Sequence, residues 1–469
     1  MPAVHNCKGA RVTSLDPRSS ARSKALWNGR VRTRTATVAV AAMIVSLLVA
    51  APVFGHHDDG KGNVTPPSAA EKEHELANVT GAGYARCEDG TAADTYACDG
   101  IDMLSHLWLD DLGLSFANDI WGWTDLKTRK DYALVGGSEG TVFVDISDPK
   151  RPDIVGTLPT HSSEGGAFWR DIKVYRDHAY VVSEHTGHGL QVFDLRRLRG
   201  VRGEPVTFDE DAHYGEFGNA HNLNINPDSG YAYAVGTATC GGGGLHMVDI
   251  RDPDEPEFAG CFSDHGYIHD TQCVTYRGPD RKYRKHEICF NSAAENLASG
   301  IYNTLSIVDV TDKDRPVELS REEYDNPGYS HQAWLTPDQR TLLHGDELDE
   351  VTHGLNTTTR VWDVEDLDAP RLSGTFANDT TSIDHNIYTE GRWAFASNYT
   401  SGLRVYSTKH VKRGKLSESA FFDVYPANDD PTFEGGTWSN YPWFRQRGVV
   451  AVNTMDRGLF VLRVRLPGQ

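Results

Sequence analysis

Four histidines recur at one point of a repeated pattern. His221-Asn222, His269-Asp270, His331-Gln332 and His385-Asn386 each open a short alternating apolar run, and Thr124-Asp125, Arg170-Asp171 and Thr437-Trp438 take the same place in the other repeats. Imidazoles grouped with carboxylate and amide oxygens suit a divalent transition metal. His221, His269, His331 and His385 are therefore candidate metal ligands, with Asp171, Asn222, Asp270, Gln332 and Asn386 as further binding groups beside them. Two loops add Glu184 and His185, in Ser183-Glu184-His185-Thr186-Gly187-His188, and Asp346 and Glu347, in His344-Gly345-Asp346-Glu347-Leu348-Asp349-Glu350. The second loop has four carboxylates, enough for calcium if they converge. It lacks the spacing and turn glycine of an EF-hand and reads as a solvated acidic loop. A His–Asp or His–Asn pair also satisfies backbone groups at a strand start. The residues alone thus leave a metal role and a packing role both open.

Common catalytic signatures do not fit. Gly136-Gly137-Ser138-Glu139-Gly140 matches G-x-S-x-G, but it joins two strand-like runs, whereas a nucleophile elbow needs a strand followed by a helix. No H-E-x-x-H, P-loop or dinucleotide fingerprint is present. Trp121, Trp123, Trp169, Trp438 and Trp443 could stack on sugars, but they read first as aromatics packed between sheets.

Strands must position these groups. One phrase recurs as TVFVDISDPKRPDIVG (141–156), GLHMVDIRDPDEPEFAG (244–260) and TLSIVDVTDKDRPVELS (304–320), with weaker versions at 189–195, 359–374, 402–407 and 458–464. Each is an alternating strand followed by an Asp/Pro turn, and another strand pair lies upstream. Seven units of four short strands predict an all-β, seven-bladed β-propeller with blades near 119–157, 169–206, 219–262, 267–320, 329–376, 383–424 and 434–464. Turns such as Asn226-Pro227-Asp228-Ser229-Gly230 imply antiparallel meanders rather than a parallel solenoid. The last unit lacks a fourth strand, and the orphan run 105–110 is expected to complete it beside 458–464, removing an open edge. The starts of the inner strands would then share one mouth of the central channel.

The VFVDISDP phrase resembles the LVIVD repeat of bacterial and archaeal surface proteins. The ordered phrases CDGIDMLSHLWLDDLG, NDIWGWTD, WRDIKVYRDHAYVVSEHTGHGLQVFDL, HGDELDE and FFDVYP are similar to the choice-of-anchor B family. That resemblance spans Cys87 to Leu462. It implies an exported surface propeller and supplies no reaction.

Composition agrees with export. Residues 36–54 form an uncharged apolar run behind Arg30, Arg32 and Arg34, as in a secretory signal. The 19-residue length also suits an uncleaved membrane anchor, the one expected route to a membrane. Residues 1–55 read as this signal or anchor, 56–84 as a flexible spacer, and 85–466 as the propeller. Without residues 1–55 the net charge moves from −20 to −27, which excludes a nucleic-acid partner. Six cysteines remain, and an exported chain is expected to pair them. Neighbour pairing gives Cys87–Cys98, Cys240–Cys261 and Cys273–Cys289. The expected function is a secreted or cell-surface binding module for a protein or glycan partner. The alternative is a metal-dependent enzyme with a His-lined site at the channel mouth.

Overall fold

A computed structural model describes residue 64 and residues 66–165, 169–264, 266–294 and 303–466. The expected signal or anchor over 1–55 lies outside the described residues, and no described helix is long and apolar enough to cross a membrane. The strands form seven antiparallel four-stranded units in a ring, a seven-bladed propeller. The innermost strands, blades one to seven, are Ala117–Asp125, Arg170–Tyr175, Asn222–Asn226, Asp270–Thr275, Ser330–Leu335, Ile387–Glu390 and Thr437–Tyr441.

Alternation of apolar side chains gives every blade two buried faces, so the core consists of packs between blades rather than one centre. Leu134 and Phe143 of blade one meet Ile172, Val181 and Phe193 of blade two in one such pack. Blade seven takes its outer strand from the N-terminal side, where Ile101–Leu107 runs antiparallel to Gly458–Val464 with Ile101 opposite Val464. The closure expected from 105–110 is thus made about four residues earlier, because Leu109–Leu112 turns into a short helix.

Several outer edges carry extra strands. Val206–Thr207 pairs in parallel with blade one, so blade two ends on Ala212–Tyr214 rather than at 206. Tyr96–Asp99 covers the outer strand of blade six. Within the stretch read as a flexible spacer, Ala69–Ala77 is a helix closed by a Ser68–Glu71 capping box. That helix is held down by Glu75, which is buried. Its carboxylate accepts from Tyr96 Oη and is 2.7 Å from Nδ1 of His106.

All three expected disulfides form, Cys87–Cys98, Cys240–Cys261 and Cys273–Cys289. Cys273 and Cys289 stand directly opposite each other on neighbouring strands. Three disulfides are consistent with an extracellular, oxidising setting.

Candidate functional site: a histidine arc and Glu347 on the propeller axis

The inner strands bring the four histidines together where those strands begin. Ring centroids are 4.3 Å apart for His221–His269, 4.3 Å for His269–His331 and 4.2 Å for His331–His385. The arc continues through Trp438, 4.3 Å from His385, to Trp169, stacked on Trp438 at 4.3 Å, and Phe116, 5.2 Å further on. Each blade thus contributes one ring, four of them imidazoles.

Neighbouring blades fix how these imidazoles present their nitrogens. His269 Nδ1 is 2.9 Å from the carbonyl oxygen of His331, and His385 Nδ1 is 2.5 Å from that of Trp438. A carbonyl oxygen only accepts, so in both rings Nδ1 carries the proton and Nε2 keeps its lone pair. Burial pushes His385 down to about 3, with the Trp438 carbonyl opposing, so this ring is neutral at ordinary pH. His221 differs, its Nδ1 lying 2.5 Å from Oε1 of Glu184.

Glu347 supplies the carboxylate. Its Oε2 is 3.7 Å from His331 Nε2 and its Oε1 is 3.7 Å from His385 Nε2. Tyr399 donates to Oε1 at 2.7 Å. Ligand atoms of His269, His331 and Glu347 all lie within 4.8 Å of one another. The 3.7 Å separations are close to the edge, about 3.4 Å, of a tetrahedron built on bonds of about 2.1 Å. Burial pushes Glu347 up to about 8, partly offset by the Tyr399 hydroxyl. A cation among these groups would hold it ionised.

The remaining sequence-derived residues fall in three places. Asp171, Asn222, Asp270, Gln332 and Asn386 follow the ring positions along the inner strands, and all but Asp270 bond across to a neighbouring blade. Asp171 Oδ2 accepts from Leu223 N at 2.6 Å, and Gln332 Oε1 accepts from Ile387 N at 2.8 Å. Asn222 donates to the His269 carbonyl at 3.0 Å, Asn386 to Ser439 Oγ at 3.1 Å, and Asp270 accepts from Thr271 N at 2.6 Å. Burial and the nearby Asp171 charge push Asp270 up to about 7. His185 contacts Ser183 Oγ at 3.2 Å rather than the arc. Asp346 is spent on the segment before blade five, accepting from Tyr324 Oη and from Tyr329 N, both at 2.6 Å.

Three expectations are corrected. Thr124-Asp125 is not at the histidine end. The inner strand of blade one is nine residues long, which carries Asp125 to the opposite face, where Arg199 grips both its oxygens at 2.7 Å. The 346–350 loop is not solvated, since Asp346, Glu347, Asp349 and Glu350 are all buried.

The third concerns the tryptophans. Trp123 packs between blades one and two and Trp121 packs against the same cluster, while Trp169 and Trp438 join the arc and Trp121 and Trp443 meet at the far end of the channel. There Trp443 contacts Trp121, Trp334, Tyr388 and Tyr441 at 5.5, 6.0, 5.3 and 5.2 Å, and its Nε1 donates to the Thr389 carbonyl at 3.2 Å. Gly122 makes room for this packing, as a Cβ there would be 2.2 Å from the Tyr441 ring.

Sequence reasoning missed Tyr399 and Phe116, and it read Trp169 as a packing aromatic rather than a member of the arc. Trp438 was in view, but one position out of step. Extra residues in the inner strands of blades five and seven, between Ser330 and Gln332 and between Thr437 and Ser439, put His331 and Trp438 at equivalent bulges. An alignment allowing one inserted residue per strand would have found that match.

The model of the LVIVD repeat matches residues 124–160. No curated protein matches the chain. Among solved structures, the chain is similar to the β-propeller domain of Cps50 (Swd1) from Myceliophteria thermophila (13% identity, TM-score 0.46, covering 73% of this chain and 96% of that one). It is also similar to the RRP9 WD40 repeats (8%, 0.48, 78% and 98%) and to hydrazine synthase of Kuenenia stuttgartiensis (11%, 0.49, 72% and 93%). Likeness at this level says nothing about chemistry. The chain is a seven-bladed propeller that carries the LVIVD repeat.

Proposed function

We propose that the propeller holds a divalent transition metal on its axis and works as a metal-dependent enzyme. His269, His331 and Glu347 are the ligands, and His385 or a water takes the fourth position. The carrying observation is the convergence of two imidazoles and one carboxylate within 4.8 Å, inside an arc in which the Nδ1 atoms of His269 and His385 are tied back by carbonyls. Such outer contacts orient metal-binding histidines in general. Three protein ligands plus an exchangeable position is the pattern of catalytic rather than structural zinc sites. The His221–Glu184 pair at one end of the arc is a group able to move a proton. Elemental analysis of the purified full chain tests this: about one zinc, iron, copper, nickel or manganese per chain is expected, and no stoichiometric metal overturns it.

A propeller with an LVIVD repeat also fits a binding or scaffold module. Under that reading the chain is displayed outside the cell, with a protein or glycan partner at the loops around the arc. The choice-of-anchor B resemblance supports such display. Undiminished partner capture by a metal-free His331→Ala variant would favour it over the enzyme.

A further inference from the structure

We propose that the stretch leading into the helix Ala69–Ala77 is an autoinhibitory strap, in which Val64 sits on the aromatic half of the axial arc and closes that side of the site. Val64 belongs to no blade. It packs, partly buried, against a cluster that contains Phe116, Trp169, Tyr399, Trp438 and Met455. Phe116, Trp169 and Trp438 are the three arc positions without an imidazole. Tyr399 and Trp438 also touch the proposed ligands: the Tyr399 hydroxyl donates to Glu347, and the Trp438 carbonyl accepts from His385. The inner strands begin at the arc and run away from it. A residue outside the blades therefore reaches these rings from the open end of the channel.

The helix that follows fastens the strap. It starts at the Ser68–Glu71 capping box, and three side chains tie it to the ring of blades. Glu71 lies 3.4 Å from Arg457, Lys72 is 2.8 Å from Asp110, and Glu75 is buried against Tyr96 and His106. Met455 and Arg457 share the turn between the second and third strands of blade seven, Val449–Thr454 and Gly458–Val464. One turn thus receives both the helix and the cluster on which Val64 rests. Pro66 and Pro67 stand between the two attachments, and the fixed φ of proline limits slack in the link.

The two attachments differ in kind. The helix is held by ion pairs, a cap and a buried carboxylate, whereas Val64 is seated by apolar contact. One aliphatic side chain does not order a free tail against its backbone entropy. Tethered to a docked helix, the same contact is intramolecular and gains from a high effective concentration. Such a contact is closed at rest and yields without unfolding anything else. A ligand that enters must replace Val64 on the aromatic rings, so it carries an apolar group of similar size. The gating role rests on the axial site being the working site proposed above, and the seat of Val64 does not.

The test uses the full chain labelled with 5-fluorotryptophan. Val64→Ala and Val64→Asp should shift the fluorine resonances of Trp169 and Trp438, assigned with Trp169→Phe and Trp438→Phe, and leave that of Trp443 in place. Val64→Asp should also enlarge the response of the two arc resonances to exchange of H2O for D2O, which reports solvent exposure. In metal-loaded chain, Val64→Asp should speed removal of the metal by excess EDTA about tenfold, the factor that one largely buried aliphatic side chain carries. Ser68→Ala loosens the helix start without touching the cluster and should give a smaller increase. Unmoved arc resonances in both Val64 variants overturn the strap. Shifted resonances with an unchanged EDTA rate overturn it as a gate. Failure of the axial reading shows separately, as a chain without metal in which the fluorine and solvent-exchange results still decide the strap.

Discussion

Where the inner strands begin, four imidazoles and Glu347 face the axis. Where they end, Trp443 sits among Trp121, Trp334, Tyr388 and Tyr441. The aromatic end draws on the inner strands of blades one, five, six and seven, and those of blades five, six and seven serve both ends. His331 is followed three residues later by Trp334, His385 by Tyr388, and Trp438 by Tyr441. The difference teaches how a ring of similar blades makes a one-ended site. The aromatic end supplies a packed floor, and the polar end above it works in a medium of low dielectric, where a charge and its ligands interact more strongly than in water.

Lys173 separates the two regions. Its ammonium hydrogen-bonds Asp171, lies 3.7 Å from Asp119 and stands over the Trp121 ring at 4.5 Å. It carries positive charge into a layer that contains three carboxylates, and it does so at the boundary with the aromatic floor.

That contrast can be broken at several points. The largest effect is expected at the polar end: His331→Ala or Glu347→Gln should reduce metal content from about one per chain to near zero, read by elemental analysis. At the boundary, Lys173→Met leaves Asp171 and Asp119 buried without their ammonium and should cost about 3–5 kcal/mol in urea denaturation. At the floor, Trp443→Ala should cost about 2–3 kcal/mol, because the indole is only partly buried. It should leave metal content unchanged, and a metal loss equal to that of His331→Ala would show that the two ends are one unit.

The smallest effect is expected at Asp125, on the outer side of the floor. Its hydrogen bonds to Arg199 hold the carboxyl well below the usual range, so the folded-state value is depressed. Such a group stabilises the fold above its unfolded pKa of about 3.9, and the contribution is lost as pH falls toward the folded value. Asp125→Asn should therefore cost about 1–2 kcal/mol at pH 7, and the gap from wild type should narrow at pH 3.

Much of this architecture is legible in the amino-acid order, and the reasons are local. Alternating apolar residues followed by Asp/Pro turns repeat often enough to count blades, and a seventh unit short of one strand demands a partner from elsewhere. The histidines are legible because each opens an apolar run. Phe116 is not, because an overlong first strand with a shifted register puts Thr124-Asp125 where the pattern is sought, and Trp169 is not, because Arg170-Asp171 fits the His-Asn pattern one residue further on. Glu350 and Asp349 are hidden for another reason: dense acidity reads as solvent contact, and only the fold shows that both are buried and that Arg360 pairs with Asp349. The helix Ala69–Ala77 did have a signal, Pro66-Pro67-Ser68 with Glu71 three residues on, inside a segment whose polarity suggested a tether.

The pairing of Ile101 with Val464 also sets a timetable. At a synthesis rate of about 5–20 residues per second, the first strand of the closing blade is made tens of seconds before its neighbour exists. Until then blades one and six face a gap, and the row of amide and carbonyl groups on that early strand has no mate. A ribosome stalled before residue 458 would release a chain with six complete blades and an open seam, a form that quality-control proteases could tell apart from the finished ring.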